Sequence, residues 1–256
     1  MVTIDLSGKV ALVLGVANKR SIAWAIAQKL SQAGCQIVLT YQERFEKEVK
    51  ELAGQISCPL TIECDVTKPE QVLTVFAEIK NKIGYLDFLI HSLAFAPTKE
   101  LEGSFLETSR EGFSQALEIS AYSLIQLSRE FAKISRPGGS ILALTFQASE
   151  RVFPLYKVMA PAKAALENIA KYLAYELGGK GIRVNAISAG PISTLAARGV
   201  PGFTTARHTW QEKAPLKQEV GQEDVANTAL FLCSDLSKLI TGEIIHVDAG
   251  YRIMGV

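Results

Sequence analysis

The sequence predicts an α/β fold in one domain: a doubly wound parallel sheet of about seven strands with helices on both faces. Three observations predict it. Short β-rich runs alternate with longer helical patterns from one end of the chain to the other. Several runs, VALVLG and SILALTF among them, are nearly continuously apolar, as strands covered on both faces must be. The 256 residues, 48% hydrophobic and 21% charged, are enough to bury one large core and exclude a disordered chain. Alternating strands and helices imply parallel strands joined by right-handed crossovers.

The first strand is read at Lys9–Gly15, an apolar run that a glycine stops. Ile22–Ala33 then carries apolar residues at helical spacing and leads to a second strand at Gln36–Tyr41. A third strand follows at Leu60–Val66, a helix at Glu70–Ile83, and a fourth strand at Leu86–Ser92. Ser140–Phe146 is the fifth strand, Ala160–Leu177 a long helix, Ile182–Ser188 the sixth strand and Glu243–Val247 the seventh. No repeat, Pro/Ser-rich linker or charge block divides this order, so residues 1–256 are expected to form one unit. The segment Ile192–Lys217 breaks the alternation. It follows a strand's C-terminal end, where open α/β sheets bind ligands, and connections that long usually serve function. It is expected to be a substrate-binding lid.

Composition excludes several partners. The net charge of +1 balances 27 basic against 26 acidic side chains, leaving no excess for a phosphate backbone or an anionic membrane. Cys35, Cys58, Cys64 and Cys233 are scattered without a CxxC pair, so neither a disulfide framework nor a zinc site is expected. His91, His208 and His246 lack metal-ligand spacing, and no metal is expected. The N-terminal residues lack the pattern of a secretory signal, and no apolar stretch approaches the ~20 residues of a membrane helix. A soluble cytoplasmic protein is expected.

Candidate ligand-binding residues gather at predicted strand ends. Gly15 permits a tight turn, and Ser21 and Ile22 open a helix whose positive dipole end suits a pyrophosphate. One glycine is not a G-x-G-x-x-G motif, so the turn alone is a weak signal. Gln42 follows the second strand, Asp65 and Val66 end the third, and Leu93 follows the fourth. Polar or small residues thus close four successive strands, as in a dinucleotide site. Because neither Asp nor Glu closes the second strand, and Glu43 and Arg44 come next, the composition leaves NADH and NADPH both open.

Tyr156 and Lys163 are seven positions apart, which at ~3.6 residues per turn would set both on one helix face. A phenol near an ammonium is expected to favour its anion and to pass or hold a proton. The ammonium can also hold ribose hydroxyls.

These motifs resemble a known family. Tyr156-x₆-Lys163, the run Asn185–Ile192 and the closing Ile240–Glu243 and Val247–Gly250 are similar to the short-chain dehydrogenase/reductase superfamily. The Gly15…Ser21-Ile22-Ala23 loop and His91-Ser92…Phe95-Ala96-Pro97 resemble, within it, bacterial enoyl-acyl-carrier-protein reductases. The resemblance covers nearly the whole chain. It implies a Rossmann-type fold, a homotetramer, and NAD(P)H-dependent reduction of an enoyl thioester in fatty acid biosynthesis. It further implies that Gly15, Ser21, Ile22, Gln42, Asp65, Val66, Leu93, Lys163, Ile192, Ser193, Thr194, Leu195 and Ala196 contact the cofactor. Tyr156 and Lys163 would be catalytic, and Ala96, Phe146 and Gln147 would face substrate. A Gln at position 42 resembles the NADH-using members.

The substrate side departs from the family. Its usual Ser-Tyr-Leu-Gly reads Thr145-Phe146-Gln147-Ala148, so a second active-site tyrosine becomes Phe146, which donates no hydrogen bond. The segment around Tyr156 reads Leu155-Tyr156-Lys157-Val158-Met159-Ala160-Pro161, and the Arg common after Gly-Pro-Ile is Ser193. Two other readings fit the residues: a specialised short-chain reductase or dehydrogenase on another carbonyl-type substrate, and a cofactor-binding paralogue with weakened catalysis.

Overall fold

The computed structural model describes residues 3–194 and 203–255. Seven strands form one parallel sheet in the order β3-β2-β1-β4-β5-β6-β7. They are β1 (Val10–Leu14), β2 (Gln36–Tyr41), β3 (Leu60–Glu63), β4 (Leu86–His91), β5 (Ser135–Thr145), β6 (Arg183–Ala189) and β7 (Ile244–Val247). The order reverses between β1 and β4, which opens a crevice at their C-terminal ends. β1, β4 and β6 are buried throughout, as their apolar runs require, whereas β3 at one edge is half-covered. The third strand ends at Glu63, before the Asp65-Val66 expected to close it.

The helices are α1 (Ile22–Gln32), α2 (Glu46–Ala53), α3 (Pro69–Lys82), α4 (Arg110–Leu117), α5 (Ser123–Ile134), α6 (Met159–Gly178), α7 (Phe203–Lys213) and α8 (Gln222–Cys233). Two apolar cores lie on the two faces of the sheet. One joins α1 and α8 to residues such as Val13, Phe88 and Leu142; the other joins α3, α5 and α6 to Leu12, Leu89 and Ile141. A third, smaller cluster of Leu101, Ala116, Val158 and Met159 sits at the crevice, with Ala96 and Tyr156 packed against it. The segment read as an irregular connection, Ile192–Lys217, contains the 11-residue α7. Its residues lack the apolar periodicity that would have announced a helix.

At the opposite end of the sheet, buried Asp87 accepts from Arg136 Nη2 at 2.6 Å and from the Val10 amide at 2.9 Å. The pairing of β4 with β5 shifts register there, between Leu86 and Phe88. This irregularity lies far from the C-terminal strand ends and leaves the crevice regular.

Candidate active site

The turn after β1 is set by Gly15. Its φ is +98°, and a Cβ there would come within 2.0 Å of the Ser92 carbonyl oxygen, so only glycine lets β1 and β4 meet at the crevice. Ser21 leads into α1, but its hydroxyl folds back to accept from the amides of Ala17 (3.0 Å) and Asn18 (3.2 Å). That closes the turn and presents the start of α1, at Ile22, to the crevice.

Gln42, Asp65 and Val66, expected to contact the cofactor, lie beyond β2 and β3. Gln42 is exposed, and its Oε1 accepts from Arg44 Nη2 at 2.9 Å, while Arg44 also stands 4.7 Å over the Phe45 ring. Asp65 accepts from both the amide (3.0 Å) and the hydroxyl (2.7 Å) of Thr67, and Val66 is buried in the core. Beyond β6, Ile192 is buried and its carbonyl accepts from the Thr194 amide at 2.8 Å, with Ser193 half-buried between them. Leu195 and Ala196 lie outside the described residues.

Lys163 and Tyr156 stand at the centre. Lys163, 4% exposed, donates to the carbonyl of Leu144 at 2.7 Å and to that of Leu93 at 3.4 Å, the ends of β5 and β4. Burial pulls its pKa down to about 8, and Glu167, one turn along α6, works the other way. Glu167 is itself fixed, accepting from Thr145 Oγ1 at 2.6 Å.

Tyr156 does not lie on the helix, contrary to the two-turn reading of its spacing. α6 starts at Met159, and Tyr156 occupies a series of turns before it. Lys157 there takes a φ of +38°, and the amide of Met159 donates to the Tyr156 carbonyl at 3.0 Å. Nor is the phenol shifted toward its anion. Burial pushes its pKa above the ordinary tyrosine range, so its proton is held at neutral pH.

Phe146 lies 4.9 Å from the Tyr156 ring in a tilted contact. Phe153 (5.0 Å) and Trp210 (5.8 Å) flank Phe146, and Tyr251 stacks on Trp210 at 3.8 Å. Trp210 is locked further, its Nε1 donating to the Asp248 carbonyl at 3.1 Å. This aromatic wall was not legible in the sequence, because its members come from four separate segments. Gln147 follows Phe146 on extended backbone and is 2% exposed, with neither amide atom hydrogen-bonded among the described residues. It opens the short 3₁₀ turn Gln147–Ser149 that follows the strand.

Sequence reasoning also missed Ser120. The chain makes a π-turn at Glu118–Tyr122, which brings the fully buried Ser120 hydroxyl against Phe95. It accepts from the Phe95 amide at 3.1 Å and donates to the Phe95 carbonyl at 3.3 Å, so it fixes the strand-end segment that carries Ala96. His91 has the expected packing role: its Nε2 meets Ser123 Oγ at 2.7 Å, and full burial lowers its pKa to about 3. Among the described residues no cluster of His, Cys, Asp or Glu could hold a metal, all four cysteines are free, and no helix could cross a membrane.

The structure therefore brings Gly15, Leu93, Ala96, Phe146, Tyr156 and Lys163 to one crevice where the strand order reverses, and sets Gln42 and Asp65 along its other arm. A parallel sheet of this order with a phenol and a buried ammonium at its crevice defines a nucleotide-dependent oxidoreductase of the short-chain type. The chain belongs to the enoyl-(acyl carrier protein) reductase family, whose model matches residues 15–252. It is 49% identical over 256 residues to the NADH-dependent enoyl-acyl-carrier-protein reductase FabI of Rickettsia conorii, covering 100% of this chain and 98% of that protein. The corresponding FabI of Bacillus cereus is 50% identical over 255 residues, covering 98% and 99%. Among solved structures, the Bacillus cereus enoyl-acyl carrier protein reductase with NADP+ and indole naphthyridinone superposes with a TM-score of 0.96 at 48% identity, covering 100% of both chains. The reductase of Anaplasma phagocytophilum in complex with NAD gives 0.95 at 40% identity, covering 100% and 98%.

Proposed function

We propose that this chain is an NADH-dependent reductase of the carbon–carbon double bond in enoyl thioesters carried by acyl-carrier protein, acting in fatty acid biosynthesis. The observation that carries the reading is the placement of Tyr156, packed against Phe146 and the small apolar cluster, and of buried Lys163, bonded to the ends of two strands, in a fold whose relatives are enoyl reductases.

The residues present fit a dinucleotide. Gly15 keeps the β1 turn free of a side chain, the start of α1 faces the crevice, and the Lys163 ammonium has three protons for two carbonyl partners. Ser21, Ile22, Gln42, Asp65, Val66, Leu93 and the Ile192–Ala196 segment complete the proposed cofactor side. The nicotinamide, when bound, supplies the hydride that adds to the β-carbon of the enoyl group. Tyr156 donates its phenol proton as a hydrogen bond to the thioester oxygen as that oxygen becomes an enolate. The raised pKa suits this role, because the donor stays protonated at neutral pH. Lys163 holds the ribose hydroxyls and keeps positive charge beneath the developing anion. Ala96, Phe146 and Gln147 form the proposed substrate side, with Gln147 itself buried.

The segment 192–217 is proposed as the lid of a single functional unit. The assembly is proposed to be a homotetramer in the cytoplasm. Tyr172 and Tyr175 on α6, 68% and 87% exposed, support an apolar subunit contact. NADH consumption with crotonyl and longer enoyl thioesters of acyl-carrier protein, against ketones and free enones, tests the substrate. Turnover of ketones alone would transfer Tyr156 and Lys163 to carbonyl reduction.

A further inference from the structure

Lys157 is one of three non-glycine residues with positive φ among the described residues. The left-handed region is costly for a long side chain and persists only where surrounding contacts hold it, most often beside a functional group. Here the neighbour is Tyr156. The reversal at Lys157 sends its ammonium across to the carbonyl of Gly103, at 2.5 Å. Gly103 belongs to the loop after β4, beyond Ala96 and Leu101, and so to the far wall of the small cluster on which Tyr156 rests.

Leu101 anchors the start of that loop in the cluster, but the stretch beyond it has little else to hold it. Residues 102–107 are all exposed, Phe105 and Leu106 included, and residues between Lys99 and Thr108 wrap a polar hollow of about 240 Å³ instead of an apolar core. Within the loop, Ser104 and Glu107 cap one another, and Glu100 accepts from the Ser109 hydroxyl at 2.5 Å. These bonds shape the loop but do not tie residues 102–107 to the Tyr156 segment. A loop with few buried apolar contacts opens locally, and a single charged bond then has leverage over its position.

We infer that Lys157 is a positioning residue: its ammonium latches the 98–108 loop to the turn carrying Tyr156 and so holds the acyl side of the site closed. The inference rests on the enoyl-thioester reading above. The latch acts on the wall that borders the acyl group, away from Gln42, Asp65 and the start of α1. Its loss therefore acts on substrate binding and not on cofactor binding.

The test compares Lys157→Met, Lys157→Gly and Lys157→Arg in the full chain. Met keeps the stem and the backbone strain without the charge; Gly removes strain and latch together, which protects folding; Arg keeps a donor. KM for a crotonyl thioester is expected to rise about three- to fivefold in the Met and Gly variants, the reach of one exposed charged contact. Their kcat and NADH dissociation constant stay within about twofold of wild type, and the Arg variant restores KM. Hydrogen exchange of the 102–107 amides in the protein without substrate speeds up in Met and Gly but not in Arg. Unchanged KM and exchange in Met and Gly, or an Arg variant as impaired as Met, overturns the latch. A wild type that fails to reduce any enoyl thioester overturns the functional reading instead, and the exchange comparison still decides the latch.

Discussion

The ammonium of Lys163 sits 2.7 Å from the carbonyl oxygen of Leu144, at the end of the strand that continues into Phe146. The fifth strand and α6 are therefore joined at the C-terminal strand ends by a charged side chain that is 4% exposed. A charge so placed ties strand to helix and, in the proposed role, also holds the cofactor. Lys163→Ala is expected to lose NADH affinity as well as rate, since the ribose contact and the positive charge disappear together. Titration of NADH fluorescence alongside kcat checks it; an unchanged dissociation constant with slower turnover would restrict Lys163 to chemistry.

The same burial sets a pH dependence. The Lys163 pKa falls from 10.5 in the unfolded chain to about 8 in the fold, with desolvation as the main cause. Between those values the unfolded chain binds more protons than the native one, so this group makes stability rise with pH across that window. Lys163→Met should abolish the rise. Denaturant unfolding of cofactor-free protein at pH 8 and at pH 10 measures it, and an equal pH slope in wild type and variant would count against a buried, charged Lys163.

His91 acts at the acid end. Its pKa is lowered from 6.5 to about 3, first by burial and then by the nearby Lys163 charge. Below pH 6.5 the unfolded imidazole takes up a proton that the native one refuses, so the native state loses stability as pH falls toward 3. Wild type should lose stability over this range faster than His91→Phe, which has no proton to gain. Urea midpoints at pH 7 and pH 5 check the difference, the Ser123 hydroxyl keeping its bond to the Ile119 carbonyl at 2.6 Å in the variant.

The central strands were legible because both faces are covered: β1 reads VALVL and is buried at each position, and its apolar run states that directly. The order of small and polar strand ends likewise pointed to the crevice. What escaped depends on contacts between distant segments or on backbone states that residue types do not announce. Lysine carries no signal for a left-handed conformation, so the turn at Lys157 that keeps Tyr156 off α6 was invisible, although the helix itself was read to within one residue of its start. Ser120 reads as an ordinary helical serine until the π-turn directs it at Phe95. Trp210 could be assigned to the aromatic wall only once α7 lay against Phe146 and Tyr251.

Cofactor choice turns on the second strand's end. Gln42 is neutral, and the neighbouring guanidinium of Arg44 is bonded to it and lies over the Phe45 ring. NADH is expected to bind more tightly than NADPH, because a 2′-phosphate would have to draw Arg44 from both contacts. Arg44→Ala should weaken NADPH further while leaving NADH nearly unchanged. Calorimetric titration of both nucleotides decides it, and tighter NADPH binding by wild type would mean that Arg44 already serves the phosphate.

The last prediction concerns Phe146, whose ring lies 4.9 Å from that of Tyr156 where the resembling reductases carry a second tyrosine. A hydroxyl added to that ring would stand beside the phenol proposed to meet the thioester oxygen. Loss of a full oxyanion donor costs ~2.7–4 kcal/mol in other enzymes, which bounds the effect from above because Tyr156 remains. A supporting hydrogen bond is worth ~0.5–1.5 kcal/mol, so Phe146→Tyr should raise kcat/KM on crotonyl thioester about two- to tenfold. Packing opposes part of the gain. Phe146 touches Phe153 at 5.0 Å and Trp210 at 5.8 Å, and a hydroxyl pressed into that apolar wall without a partner would lower stability. The Phe146→Tyr, Trp210→Phe double variant separates these effects, since the smaller ring makes room without touching Tyr156. If neither the single nor the double variant gains activity on short or long enoyl thioesters, Tyr156 alone suffices and the phenylalanine is a neutral replacement.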